Sequence, residues 1–176
     1  FSVAFLDHSH IYGQTNCLRD AGATRKSVYD PDPGRVQKFA EAYPGVQIAD
    51  SFEQVLADPE VRLVNSAAIP NKRAEIGFQV LEAGKDYFTD KSPFTTLQQL
   101  EKARELVAGT GQKYAVYYAE RLHNDAAWQA GELIAQGAIG RVLQVLNLAP
   151  HRLAKDTRPD WFFDKSCYGG ILTDIG

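Results

Sequence analysis

Leu81-Glu82-Ala83-Gly84-Lys85-Asp86-Tyr87-Phe88-Thr89-Asp90-Lys91-Ser92-Pro93 decides how the chain is read. The pattern from Asn71 to Ala83 predicts a helix, and Gly84 supplies its stop just past the C-cap. Tyr87 to Thr89 then predicts a short strand that runs into an acid–lysine pair. Pro93 cannot extend a sheet ladder, and it pushes Ser92 away from helical geometry. The chain therefore turns just past Lys91. In a parallel α/β sheet the carboxyl ends of the strands form the ligand crevice. Lys91 is expected there, its ammonium placed to orient a substrate hydroxyl or share its proton. Asp90 favours the charged lysine, and partial burial opposes it. The same residues also read as a strand-end lysine in a surface ion pair.

Working outward, the helix–strand unit repeats. Ser2 to Leu6 is a short apolar strand, followed by a helix from about His10 to Ala21 that stops at Gly22. Thr24 to Asp30 is a second strand. Asp32-Pro33 opens the next helix, with aspartate as N-cap and proline at the first helical position. Val46 to Ile48 is a minimal strand, and Ser51 with Gln54 fits a capping box. Val61 to Ala68 is an apolar strand interrupted by Asn65 and Ser66. Thr96 and Gln99 open a helix to about Val107, Gly109-Thr110-Gly111 is a turn, and Lys113 to Ala119 is a strand. Strand and helix thus alternate through residue 119 with short connections, the pattern of a parallel, doubly wound α/β sheet. After about residue 120 the order changes. A helix from Asn124 to Gln136 precedes a longer strand, Val142 to Leu148, then a polar loop and Trp161-Phe162-Phe163. We expect domains at 1–119 and 120–176, the second an α+β domain opening a mixed or antiparallel sheet.

Composition is that of an ordinary globular protein, with 44% apolar and 23% charged residues in 176. A net charge of −3 gives no electrostatic footprint for nucleic acid or an anionic membrane. No apolar run approaches membrane-spanning length. Cys17 and Cys167 form no framework, so a cytoplasmic location is expected. The absence of methionine and the end at Gly176 suggest a piece of a longer chain.

The first strand–helix turn carries the next expectation. A dinucleotide-binding fold normally has Gly-x-Gly-x-x-Gly there, so that backbone approaches the diphosphate at the helix N-terminus. Asp7, Ser9 and Tyr12 occupy those positions, and only the following residue, Gly13, is glycine. The Asp7 carboxylate would repel a diphosphate, and the Ser9 hydroxyl can replace a backbone contact. Asp30, at the end of the second strand, stands where an acid accepts from the adenosine ribose, which favours NAD over NADP. Asp30-Pro31-Asp32-Pro33 is equally good turn chemistry. His8-x-His10 has a metal-binding alternative, as in barrel-type hydrolases. Further ligands would have to come from His123 and His151, neither of which follows a clear barrel strand. No metal is assigned, and His8 or His10 is expected to line the crevice or cap the helix.

Taken in order, these segments resemble the Gfo/Idh/MocA oxidoreductases, the glucose–fructose oxidoreductase and inositol dehydrogenase group. The resemblance runs through Val28-Tyr29-Asp30-Pro31-Asp32-Pro33, Ser51-Phe52-Glu53-Gln54-Val55-Leu56, Asp58-Pro59-Glu60-Val61 and Leu81-Glu82-Ala83-Gly84-Lys85. It continues with Asp90-Lys91, Glu120-Arg121, Leu133-Ile134 with Gly137 and Ile139-Gly140, and Gly169-Gly170-Ile171-Leu172-Thr173-Asp174-Ile175-Gly176. It implies a Rossmann-type sheet and a nicotinamide cofactor, NAD or alternatively NADP. The family's Glu-Lys-Pro motif falls on Asp90, Lys91 and Ser92, with the proline moved to Pro93. Its lysine contacts the nicotinamide ribose and the substrate, so Lys91 is the first catalytic candidate. The loop Ala68-Ile69-Pro70-Asn71 borders the cofactor. The family's Gly-Gly…Asp-x-Gly-x-His motif falls on Gly169, Gly170, Asp174 and Gly176. Asp174 would line the substrate pocket, and the histidine would lie two residues past Gly176.

The reading is an NAD(P)-dependent oxidoreductase of a sugar or polyol. Lys91 and Asp174 are its catalytic candidates, and Asp7, Ser9, His10, Asp30, Ala68, Asn71, Asp90 and Lys91 its cofactor contacts. The resemblance also implies a homo-oligomer formed through the second domain. A second reading is a non-catalytic relative that binds a sugar or nucleotide as a regulator. A third is a metal-dependent hydrolase built on His8 and His10.

Overall fold

The computed structural model describes residues 1–119, 123–146, 148, 150 and 152–175. Six short strands form one parallel sheet: β1 (Ser2–Ala4), β2 (Ser27–Tyr29), β3 (Gln47–Ile48), β4 (Leu63–Ser66), β5 (Asp86–Asp90) and β6 (Tyr114–Tyr117). Their order is β3-β2-β1-β4-β5-β6. Every pairing is parallel, with Val3 opposite Val28 on one side and Asn65 on the other. The chain winds outward from β1 in both directions, so a crevice opens at the carboxyl ends of β1 and β4.

Helices α1 (His10–Asp20), α2 (Pro33–Ala42), α3 (Phe52–Ala57), α4 (Pro70–Glu82) and α5 (Leu97–Thr110) connect the strands. Their starts follow local chemistry. Asp32 caps α2 by accepting the Gly34 N–H, Ser51 caps α3 through the Gln54 N–H, and Thr96 caps α5 through the Gln99 N–H. The end of α5 lies beyond Val107, because Gly111, not Gly109, takes the left-handed conformation.

Successive residues of β1 face opposite sides. Val3 packs with Ile11, Val28, Val36, Phe39 and Tyr43, whereas Ala4 packs with Phe52, Val55, Val61, Val64, Val80 and Tyr87. The two polar residues that interrupt β4 are buried and paired. The Asn65 amide accepts from Gln14 Nε2 at 3.0 Å and donates to Thr15 Oγ1 at 3.2 Å, while Gln14 also donates to the Ser66 carbonyl. These bonds tie α1 to β4 under the crevice.

By its own contacts the chain divides into Phe1–Tyr117 with Asp160–Gly176, and Tyr118–Pro159. The segment from Asp160 onward, grouped with 120–176 in the sequence reading, contacts the sheet-containing unit. It forms a 3-10 turn (Asp160–Phe163), α7 (Lys165–Tyr168) and α8 (Ile171–Asp174). In the other unit the described residues hold one helix, α6 (Asp125–Ala135), capped by Asn124. The strand expected over Val142 to Leu148 is not formed at its described residues. A strand needs a neighbour to take its N–H and C=O groups, and no described residue pairs with it. Leu143, Val145 and Leu146 are accordingly 78–81% exposed. Glu120, Arg121, His151 and Gly176 lie outside the described residues. Among the described residues, no helix is long and apolar enough to cross a membrane.

Candidate active site

The β1–α1 turn is fastened on both sides. The Phe5 N–H donates to the Tyr29 carbonyl, the Ala67 N–H to the Phe5 carbonyl, and the His8 N–H to the Ala67 carbonyl, each at 3.0–3.1 Å. Phe5 turns the chain with φ of 60°. Ser9 occupies the N-cap position of α1 but makes no side-chain cap bond, and it is exposed. His8 takes over this role, its Nδ1 accepting the His10 N–H at 3.2 Å.

Two acidic clusters flank this turn. In the first, Asp30 is fully buried, and its carboxylate accepts the Leu6 N–H at 2.6 Å and the Asp32 N–H at 2.8 Å. Arg35, in the first turn of α2, reaches Asp7 at 2.6 Å and Asp30 at 3.4 Å. Burial raises the Asp7 carboxyl above its ordinary pKa, with Arg35 acting in the opposite direction. Asp30 thus braces the turn with the carboxylate that was expected to read a ribose, and Arg35 is the group that closes the cluster.

The second cluster joins the end of β5 to the same turn. The Asp90 carboxylate, 2% exposed, accepts from His10 Nδ1 at 3.0 Å and from the Lys91 N–H at 2.9 Å. It also lies 3.3 Å from both Arg73 Nη2 and His8 Nδ1. Burial works to raise the Asp90 pKa, but the His10 hydrogen bond and the Arg73 guanidinium outweigh it and leave it lowered. His8 is lowered to about 4, first by burial and then by its cationic neighbours. Its imidazole is neutral in neutral solution.

Arg73 carries this corner. It is 1% exposed on α4. Its Nε donates to the Ala68 carbonyl at 2.6 Å, and its Nη1 to the Lys91 and Ser92 carbonyls. One buried guanidinium therefore holds the Lys91 and Ser92 carbonyls together with the Asp90 carboxylate just before them. The Lys91–Ser92 peptide is cis. Lys91 is itself nearly buried, with its Nζ 4.0 Å from Asp174 Oδ1 on α8. The Trp161 ring stands 6.1 Å from that of His8, edge to face.

The structure thus brings together Lys91, Asp90, His10 and Asp174 from the expected residues. Asp7 and Asp30 meet at Arg35 instead. Ala68 is buried, with its N–H on Ser66 Oγ and its carbonyl on Arg73. Asn71 turns to the Ser166 carbonyl at 3.0 Å. Arg35 and Arg73 were not singled out by sequence reasoning, whereas Trp161 was noted as part of the run Trp161-Phe162-Phe163. Only Arg73 carried a usable signal, because it shares the stripe of α4 that holds Ile76, Gly77 and Val80.

A dinucleotide at this crevice would meet a changed donor set. At the start of α1, the His10 N–H is turned to His8 Nδ1, the Ile11 N–H to the His8 carbonyl, and the Tyr12 N–H to the Ser9 carbonyl. The Ser9 hydroxyl and the His10 ring, about a third exposed, stand where glycine backbone would otherwise meet a diphosphate.

Comparison with known proteins identifies the family and the fold. The sequence model of the GFO_IDH_MocA family, described as an oxidoreductase family with an NAD-binding Rossmann fold, matches residues 11–118. A solved protein from Erwinia carotovora atroseptica SCRI1043, described as an oxidoreductase, is 46% identical with a TM-score of 0.93. The alignment covers 99% of this chain and 53% of that one. D-xylose dehydrogenase of Paenarthrobacter nicotinovorans is 23% identical over 80% of this chain. The chain spans only 37% of that relative's length. A levoglucosan dehydrogenase, solved with NADH and L-sorbose, is 21% identical. It shares the fold at a TM-score of 0.79, over 99% of this chain and 49% of that one.

Proposed function

Because the chain belongs to the Gfo/Idh/MocA family of NAD-binding oxidoreductases, we propose that it moves a hydride between nicotinamide and a sugar or polyol carbon. The nicotinamide supplies or receives the hydride when bound, and the chain's own residues manage the rest. Arg35, held in place by Asp7 and Asp30, meets the adenosine ribose. Ser9 and His10 meet the diphosphate. Lys91 meets the nicotinamide ribose and the substrate hydroxyl, holding or releasing its proton at Nζ. Asp174 sets the direction of that ammonium across their 4.0 Å separation.

The observation that carries this reading is Lys91: nearly buried, its own carbonyl and that of Ser92 held by Arg73, and faced by a carboxylate from α8. A side chain held in that way is pre-oriented for proton transfer. The substrate class follows the D-xylose and levoglucosan dehydrogenases named above. A cytoplasmic location, a second substrate domain opening near residue 120, and pairing of subunits through it belong to the same proposal.

A second reading, a regulator that binds without turnover, draws support from the missing glycines and from the inward carboxylate of Asp30. The two separate in one experiment. The full-length protein is titrated with NAD and NADP while its thermal midpoint is followed, and is then assayed against pentoses, hexoses and anhydrosugars. Binding raises the midpoint, since ligand at a hundredfold its Kd adds about 2.7 kcal/mol. On the enzyme reading, Lys91→Ala lowers kcat by about a hundredfold or more while the midpoint holds. Unchanged turnover would remove Lys91 from the mechanism. Binding with no turnover across the panel would favour the regulator.

A further inference from the structure

His8 and His10 stand on alternate positions of one turn, with ring centroids 4.1 Å apart and planes at 85°. Asp90 arrives from β5, 80 residues away in sequence from His10. It sets one carboxylate oxygen 3.3 Å from His8 Nδ1 and the other 3.0 Å from His10 Nδ1. One ligand atom from each residue can be chosen so that all lie within 4.8 Å of one another. Donor atoms around a tetrahedral zinc ion at about 2.1 Å stand roughly 3.4 Å apart, so the three side chains would draw together from a spacing of up to 4.8 Å to bind it.

The His8 contact has a further peculiarity. Its Nδ1 accepts the His10 N–H, so it carries a lone pair. The same nitrogen faces Asp90 Oδ2, which carries another. Two acceptors at that distance call for a positive charge shared between them. Arg73 approaches Oδ2 but also serves three carbonyls.

We propose that His8, His10 and Asp90 form a three-ligand site for a divalent transition-metal cation of the zinc class. Its fourth position would be left to water or an anionic ligand oxygen. Two imidazoles select borderline cations such as zinc and cobalt(II). The single carboxylate, already paired with Arg73, offers too little oxygen charge for calcium or magnesium. The outer contacts are those of a metal site: Arg73 and the Lys91 N–H orient the Asp90 carboxylate, and Arg73 is in turn anchored on the Ala68 carbonyl. A cation here would also place positive charge beside the turn that lacks the glycines. The site goes beyond the dehydrogenase reading and does not depend on a nicotinamide binding.

The test reads metal directly. Full-length protein is stripped with a chelator, dialysed, and titrated with cobalt(II), zinc and magnesium by calorimetry and visible absorption. One equivalent of cobalt(II) is expected, with tetrahedral-type bands that zinc abolishes, and no heat with magnesium. His10→Asn and His8→Asn should each weaken cobalt affinity by about tenfold or more, with circular dichroism confirming the fold. Zinc-edge X-ray absorption of the unsubstituted protein should show two imidazole nitrogens, a readout that needs no variant. Failure of the unsubstituted protein to take up cobalt or zinc at millimolar concentration would overturn the site. So would a zinc shell without imidazole, or folded histidine variants with unchanged affinity.

Discussion

Arg73 shows how far a single buried cation can organise a corner of a fold. Its guanidinium holds three carbonyls and one carboxylate, and all four lose their partner together if it is removed. We expect Arg73→Ala to lower unfolding free energy by about 3–5 kcal/mol, because it takes from a buried carboxylate its guanidinium partner and leaves three carbonyls without that donor. Urea denaturation measures this directly, and a loss under 1 kcal/mol (the scale of an exposed pair) would show that the corner rearranges around the gap. Sequence reading found Lys91 because Pro93 forces a turn behind it. It passed over Arg73 because a charged residue reads as surface until its helix face is worked out. The His8-x-His10 spacing was legible as well. Its carboxylate partner was not, since further ligands were sought among histidines, and spacing along the chain does not say which strand ends meet.

Among the elements, α4 packs tightly against the sheet at Gly77. A Cβ added at Gly77 would come within 2.6–2.8 Å of the Tyr114 and Tyr87 rings. Both rings are confined, Tyr87 being fully buried and in edge contact with Tyr114. Gly77→Ala should therefore cost about 1–3 kcal/mol through overpacking, despite the better helix propensity of alanine. A calorimetric melt that moved upward would contradict it. Helix starts were readable because caps are local chemistry, and Asp32, Ser51 and Thr96 all accept N–H groups as caps. The short helices α7 and α8 were not read, because four residues carry no periodicity. The strand expected over 142–148 failed for the converse reason: its apolar pattern was present, but a strand is stable only beside another.

At the scale of the whole molecule, the alternation of strands and helices was enough to give the parallel sheet. The regrouping of Asp160–Gly176 with the sheet-containing unit depends on long-range contacts that no local pattern encodes. Stability should be graded across the sheet. β1 and β4 are paired on both sides with mostly buried residues, whereas β3 is a two-residue edge with Ile48 60% exposed. Native-state hydrogen exchange should find the slowest amides at Val3 and Val64 and much faster exchange at Ile48. Uniform protection would deny that gradient. Asp90 has a last corollary. It is held at once by the first turn, by α4 and by the backbone of Lys91, so it works as a common pivot. A guest that pulls on the imidazoles must also shift the lysine, and one seated at the lysine must be felt by the imidazoles. Thermodynamic reciprocity then requires the two occupants to alter each other's affinity by the same factor.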